Sequence, residues 1–204
     1  MKNIHQLNDQ MTRCAWCLGF EEYVNYHDSE WGVPVHDDRI HFEFLVLESA
    51  QAGLSWATIL KKREGYRRAF ADFDYRVVAE FPESYVQELL HDPGIVRNVL
   101  KIRAAVNNAQ RFLEVQEEFG SFSSYIWEFV NGKPIQNKRK SMANVPATTP
   151  ESDRLAKDLK KRGFKFLGST TIYAYMQATG LFNDHLEDCF RSREINLLGE
   201  GKEH

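Results

Sequence analysis

Only three of the 204 residues are cysteine, Cys14, Cys17 and Cys189. An odd and sparse set excludes a disulfide-stapled scaffold. No apolar run approaches the roughly 18 residues needed to span a bilayer. The opening MKNIHQLNDQ lacks the apolar stretch of a secretory signal. Excess positive charge is missing too: 26 Lys and Arg against 29 Asp and Glu leave a net −3. That excludes nucleic-acid binding by bulk charge, though not by a local basic patch. Repeats, low-complexity tracts and long β-branched alternations are also absent. The expectation is a soluble, cytoplasmic protein with no membrane association, whose thiols are free or bind metal.

What is present is 43% hydrophobic and 13% aromatic residues, enough for one domain with a sizeable core. Residues 1–12 and 191–204 are polar, charged or glycine-containing without periodicity and read as flexible tails around a single domain over 13–190. Apolar residues recur at helical spacing over His41–Ala52, Glu83–Leu90, Ile95–Glu118, Phe122–Val130, Pro150–Lys161 and Thr171–Thr179. Thr149-Pro150 is a start signal and Gly180 a C-cap. Asn131–Pro150 reads as a loop or excursion. The fold class is all-α.

Several residues carry chemistry. If Asn183–Cys189 begins a helix, His185 and Cys189 share a face at i and i+4. Near the other end, Cys14, Cys17 and His27 lie within 14 residues. Two ligands from each end would close a tetrahedral Cys₂His₂ zinc shell, structural because no position stays open for water. Spacing does not decide between Cys14 and Cys17, and a surface histidine beside a buried thiol is the plain alternative. Trp16, Tyr23, Tyr26, Trp31 and Trp56 form core or a stacking pocket. Glu48 shares a helix face with Phe44 and Leu45, where a carboxylate is costly unless it is bonded or held for a purpose; Glu43 is expected to be solvated. Gly53-Leu54 is a simple turn or an apolar wedge for a base stack. Lys61–Arg68, Lys138–Lys140 and Lys160–Lys165 are basic clusters. Gly168, with the N–H groups of Ser169, Thr170 and Thr171 at a helix start, makes a phosphate seat in a helix–hairpin–helix.

The segments Arg13–Trp16, Tyr26–Pro34, Leu47–Trp56, Ile59–Glu64, Leu159–Gly168 and Asn183–His185 with Cys189 together resemble the 3-methyladenine DNA glycosylase I family, within the helix–hairpin–helix glycosylase superfamily. The resemblance implies a structural zinc on Cys14, His27, His185 and Cys189, with Cys17 a spare thiol. It implies Glu48 as the polar contact to a flipped base, Tyr26 assisting, and Trp16, Tyr23 and Trp56 lining the pocket. Gly53 and Leu54 would enter the duplex. The implied partners are alkylated double-stranded DNA and the product 3-methyladenine, with no lyase step; the protein is expected to be a monomer. Many members of the superfamily use a catalytic Asp after the hairpin, which the resemblance to this family implies is not used here; Asp184, near that position, is either such a catalytic residue or an N-cap for a His185 helix. The competing reading is a non-catalytic, zinc-stabilised helical DNA-binding module.

Overall fold

The computed structural model describes residues 11–199 and is mostly helical, as expected. Its α-helices are α1 (Glu21–Ser29), α2 (Asp38–Gln51), α3 (Trp56–Ala69), α4 (Tyr75–Ala79), α5 (Glu83–Leu89), α6 (Val99–Phe119), α7 (Phe122–Glu128), α8 (Pro150–Lys161), α9 (Ser169–Ala178) and α10 (Phe190–Gly199). A two-residue parallel pair, β1 (Ile135–Gln136) and β2 (Phe182–Asn183), is the sheet found among the described residues. No described helix is long and apolar enough to cross a membrane.

Side-chain caps start most of the helices that matter here. Asp37 accepts from Arg39 and Ile40 N–H at α2, Ser55 from Thr58 at α3, and Asn98 from Leu100 and Lys101 at α6. At α8 the expected signal is a capping box, with Thr149 and Ser152 each accepting from the other's backbone N–H behind Pro150. Each cap satisfies orphan donors of the first turn and contributes about 1 kcal/mol.

The chain forms two compact units. One comprises Val35–Gly132 and Thr148–Tyr175. Its core is layered on α2, which is buried at every position from His41 to Ala50. Phe112 of α6 stacks on Phe122 of α7 at 4.1 Å, and the Phe42 ring of α2 meets Phe112 edge-on. Asp38 of α2 accepts from the N–H groups of Phe122 and Ser123, so one helix start caps another.

The other unit gathers the N-terminal segment to Pro34, residues Lys133–Ala147, and the chain from Met176 onward. The 131–150 excursion therefore has a role: its β1 pairs with β2, and Arg139 bridges to Leu186. Gly180 closes α9 at φ +75, and a Cβ there would lie 2.4 Å from the Val33 and Pro34 backbone, so no other residue fits.

Three expectations are corrected. The tail predicted from Arg191 is instead α10 as far as Gly199, anchored by buried Ile195; with one fully buried residue in ten the helix leaves no periodicity to read. Residues 1–10 and 200–204 of the expected tails lie outside the described residues. Asn183–Cys189 is not a helix, because pairing with β1 and with Arg139 holds it extended before a turn. Finally, Glu43 is not solvated: it is 7% exposed and accepts from Arg63 at 2.7 Å and Arg67 at 3.2 Å.

Removing one member of a buried ion pair strands the other. Glu43→Ala is expected to lower the unfolding free energy by about 3–5 kcal/mol in chemical denaturation. A loss below about 1 kcal/mol would mean that Arg63 finds water when its partner goes.

Candidate functional site

Four buried side chains converge in the unit that holds both chain ends. Ligand atoms of Cys14, His27, His185 and Cys189 all lie within 4.8 Å of one another. Cys14 Sγ is 3.8 Å from His185 Nδ1, Cys189 Sγ 3.6 Å from the same nitrogen, and Cys189 Sγ 3.4 Å from His27 Nε2. Tetrahedral bonds of about 2.3 Å to sulfur and about 2.05 Å to nitrogen place such atoms roughly 3.6 Å apart. The four residues therefore fit a metal ion by donor type, number and spacing. Ligands from the two ends of the chain meet because β2 and the turn after it carry His185 and Cys189 to the first segment; a shared helix is not needed.

The remaining ring nitrogens are engaged as metal-binding histidines require. His27 Nδ1 lies 2.7 Å from Asp28 Oδ1, and Arg13 holds that carboxylate at 2.7 Å. His185 Nε2 donates to the Trp31 carbonyl at 3.0 Å. The two rings thus present opposite nitrogens, Nε2 and Nδ1, to the centre. Asp28 escaped the sequence reading, although a carboxylate directly after a candidate ligand histidine was the available signal. Hydrogen bonding from Cys14, and further from His185 and His27, pulls the Cys189 thiol far below its usual range, against the opposing effect of burial. Cys17 is left outside the cluster, its thiol donating to the Cys14 carbonyl at 3.1 Å.

Around this cluster lie the predicted rings. Trp16 is 5.2 Å from Tyr23, 6.5 Å from Tyr26 and 5.0 Å from Trp31, mostly at steep interplanar angles. Trp56 belongs to the other unit, at the start of α3, where it stacks on Phe44 at 15° between planes.

Glu48 sits in that same unit, on the last turns of α2. It is 4% exposed, and its Oε2 has no hydrogen-bond partner among the described residues. Burial pushes its pKa up to about 8. The contrast with Glu43 on the same helix is direct, since Glu43 is paired with Arg63 and Glu48 is not. Beyond α2 the chain turns at Gly53, φ +80, where an added Cβ would meet nothing within 4 Å, and the next residue, Leu54, stands 42% exposed.

The predicted hairpin also forms. Gly163, φ +91, leads from α8 to Gly168, and α9 begins at Ser169. Gly168 and Thr170 are exposed, and a Cβ on Gly168 would meet nothing within 4 Å. Nothing inside the protein demands glycine there, so the bare backbone faces outward. Asn107 and Asn108 of α6, which sequence reading missed, hold this hairpin by bonds to the Gly163 and Lys165 carbonyls and to the Lys165 N–H.

Asp184 is fully engaged, accepting from Asn137, Arg139 and Gln177 at 2.8 Å each. It caps no helix. The basic clusters are also partly committed: Arg63 and Arg67 pair with Glu43, Arg162 with Glu118 and Asp158, and Arg139 with Asp184.

The chain matches the family model described as methyladenine glycosylase over residues 16–192. It is 46% identical over 179 residues to DNA-3-methyladenine glycosylase 1 of Escherichia coli (strain K12), across 88% of this chain and 96% of that protein. A crystal structure of 3-methyladenine DNA glycosylase I superposes with a TM-score of 0.86 at 48% identity, over 88% of this chain and 98% of that one. A variant of 3-methyladenine DNA glycosylase I in complex with 3-methyladenine superposes equally well, 0.86 at 41% identity, over 89% and 98%. With its sequence matched over most of its length and its fold shared, the chain belongs to the methyladenine glycosylase family.

Proposed function

We propose that this protein excises 3-methyladenine from alkylated double-stranded DNA as a monofunctional glycosylase. Residues 13–190 act as one glycosylase domain, extended by α10. The observation that carries the reading is Glu48, a buried acid with an unsatisfied oxygen and no cationic partner among the described residues. Leaving a buried polar atom unbonded costs about 1–3 kcal/mol. A fold that tolerates this at one glutamate while pairing another on the same helix keeps Glu48 for a ligand.

Methylation at N3 makes the adenine of a nucleotide cationic, so the base is already an activated leaving group. The protein then has mainly to bind and orient it. The damaged nucleotide is flipped from the stack, with Gly53 and Leu54 entering the duplex and Gly168, Ser169, Thr170 and Thr171 holding phosphate. Trp16, Tyr23 and Trp56 stack on the base, and Tyr26 assists Glu48. Burial keeps Glu48 largely protonated near neutrality. The arriving cation lowers that pKa, so binding releases a proton and leaves a carboxylate that accepts from the exocyclic amine and stabilises positive charge in the transition state. Water attacks C1′ of the sugar as the bond to the base breaks, giving an abasic site and free 3-methyladenine. The strand stays intact because no lysine attacks the sugar.

Cys14, His27, His185 and Cys189 would hold zinc. With four protein ligands taking its positions, a bound ion would supply cross-linking rather than Lewis acidity at the base. The enzyme works as a monomer in the cytoplasm.

Incubation with methylated duplex and chromatography of the released bases should give free 3-methyladenine without strand cleavage. Tight binding of the duplex with no release would instead favour a non-catalytic binding module. Glu48→Gln should slow release at least about tenfold while the protein stays folded; unchanged release removes Glu48 from its role.

The same substitution has a pH signature in stability. Between about pH 4.5 and 8 the folded state holds a proton on Glu48 that the unfolded state has lost, so wild-type stability falls as pH rises through this window. Glu48→Gln has no such proton, so its stability relative to wild type should grow from pH 5 to pH 8 by on the order of 2 kcal/mol or more in urea unfolding. A difference independent of pH would mean that the acid is ionised throughout.

Metal analysis of purified protein should find one tightly held zinc per chain. Cys14→Ser should lose it and Cys17→Ser should retain it. Equal retention by both would count against the ligand set.

A further inference from the structure

We propose that Lys101 is a positioning residue for excision from duplex DNA: reaching from α6 to the end of α2, its ammonium holds the Gly53-Leu54 tip in shape to enter the base stack. The inference rests on the reading of that tip as the duplex wedge. Lys101 Nζ donates to the Ala50 carbonyl at 2.7 Å and to the Ala52 carbonyl at 2.6 Å. Between them, the Gln51 carbonyl accepts from Leu54 N–H at 2.6 Å. Three successive carbonyls at the end of α2, two of them leading out of the helix toward the tip, are thereby bonded. A cation at this end also complements the helix dipole. Gly53 takes the positive φ that reverses the chain, a Cβ added there would meet nothing within 4 Å, and Leu54 beside it is 42% exposed.

The other end of the lysine is equally fixed. Its own N–H bonds to the Asn98 cap in the first turn of α6. Two turns further along, Asn107 and Asn108 hold the backbone of the 163–165 hairpin segment. Six or seven residues correspond to about 9–10 Å of helix. A single helix thus carries the mounts of both DNA-contacting elements, the wedge through Lys101 and the phosphate seat through the asparagines. A tip already in its inserted shape spends no ordering entropy when it enters the stack.

The test uses Lys101→Met, Leu54→Ala and the double variant, each assayed for free 3-methyladenine binding by tryptophan fluorescence and for base release from methylated duplex. Wild-type release establishes the parent reading; no release from wild type would sink that reading, not this one. Lys101→Met should bind the free base as wild type does, yet release it from duplex about tenfold more slowly. Because the lysine acts through the tip, the double variant should be no slower than Leu54→Ala alone. Full multiplication of the two losses, or wild-type release by Lys101→Met, overturns the proposal. So does a uniform weakening of DNA binding with the salt slope lowered by about one, which marks a phosphate contact. Should Lys101→Met fail to bind the free base, Lys101→Arg takes its place. Its planar fork keeps the charge but does not seat one nitrogen between both carbonyls, so a duplex loss of about threefold is expected. Wild-type release by that variant also overturns the proposal.

Discussion

Helix α2 has no solvent face from His41 to Ala50, and any carboxyl group it carries there has to be neutralised by a partner, by a proton or by a ligand. Its two glutamates take different routes. Glu43 is neutralised permanently, by Arg63 and at longer range by Arg67. Glu48, five residues on, has no such partner among the described residues, and burial keeps its proton on until about pH 8. A proton is a removable counter-charge, whereas a guanidinium is not. On the proposed reading, the arrangement lets the helix fold without a ligand and still offers a carboxylate to a cation that displaces the proton. It would also discriminate: a neutral adenine brings no charge to offset ionisation, so the acid would meet it in its less useful form.

The four-residue Cys₂His₂ cluster solves a different problem. The unit that contains it is built from three separate stretches of chain, and a small core assembled from distant segments has little local structure to hold it. His27 and Cys189 are 162 residues apart in sequence yet bonded at 3.4 Å. A metal held across such a separation would limit the unfolded chain more than one that closes a short loop. The outer partners strengthen the arrangement, because Asp28 and the Trp31 carbonyl fix which nitrogen each ring presents. Trp16 packs at 5.2 Å from the His27 ring, so ordering the ligands also orders the aromatic cluster beside them.

Much of this was legible in the chain because the signals were local. The amphipathic repeat of α6, the Thr149-Pro150 start of α8 and the Gly180 stop of α9 are each written in a few neighbouring residues. Glu48 was legible for the same reason, as a carboxylate on an apolar helix face. The failures were non-local. Glu43 looks solvated until α3 brings Arg63 onto it from twenty residues away. His185 and Cys189 suggested a helix by their spacing, but pairing with β1 and Arg139 holds the chain extended as far as Leu186, and Cys189 follows a turn. α10 buries Ile195 alone, its other apolar residues Phe190, Leu197 and Leu198 being half-buried or exposed, and has no repeat to detect. Lys101 reads as one more surface cation, since nothing in its vicinity in sequence names the carbonyls of Ala50 and Ala52.

The same distinction governs the charges. Counting residues gave three basic clusters, but tertiary contacts divide them by type. Arg63, Arg67, Arg139 and Arg162 are tied to carboxylates, where a planar fork gains most from fixed partners. Lys157, Lys160, Lys161 and Lys165, by contrast, are exposed on α8 and the hairpin that leads to Gly168. Exposed ammonium groups on flexible stems contribute a salt-dependent attraction to phosphate with no preference for base sequence. For a protein that must find a lesion anywhere in a duplex, that is the useful kind of grip, and sequence discrimination would hinder it. On the proposed reading, selectivity then falls to Glu48, the buried acid with no charged partner among the described residues, which would respond to charge on a base instead of to its neighbours in the strand.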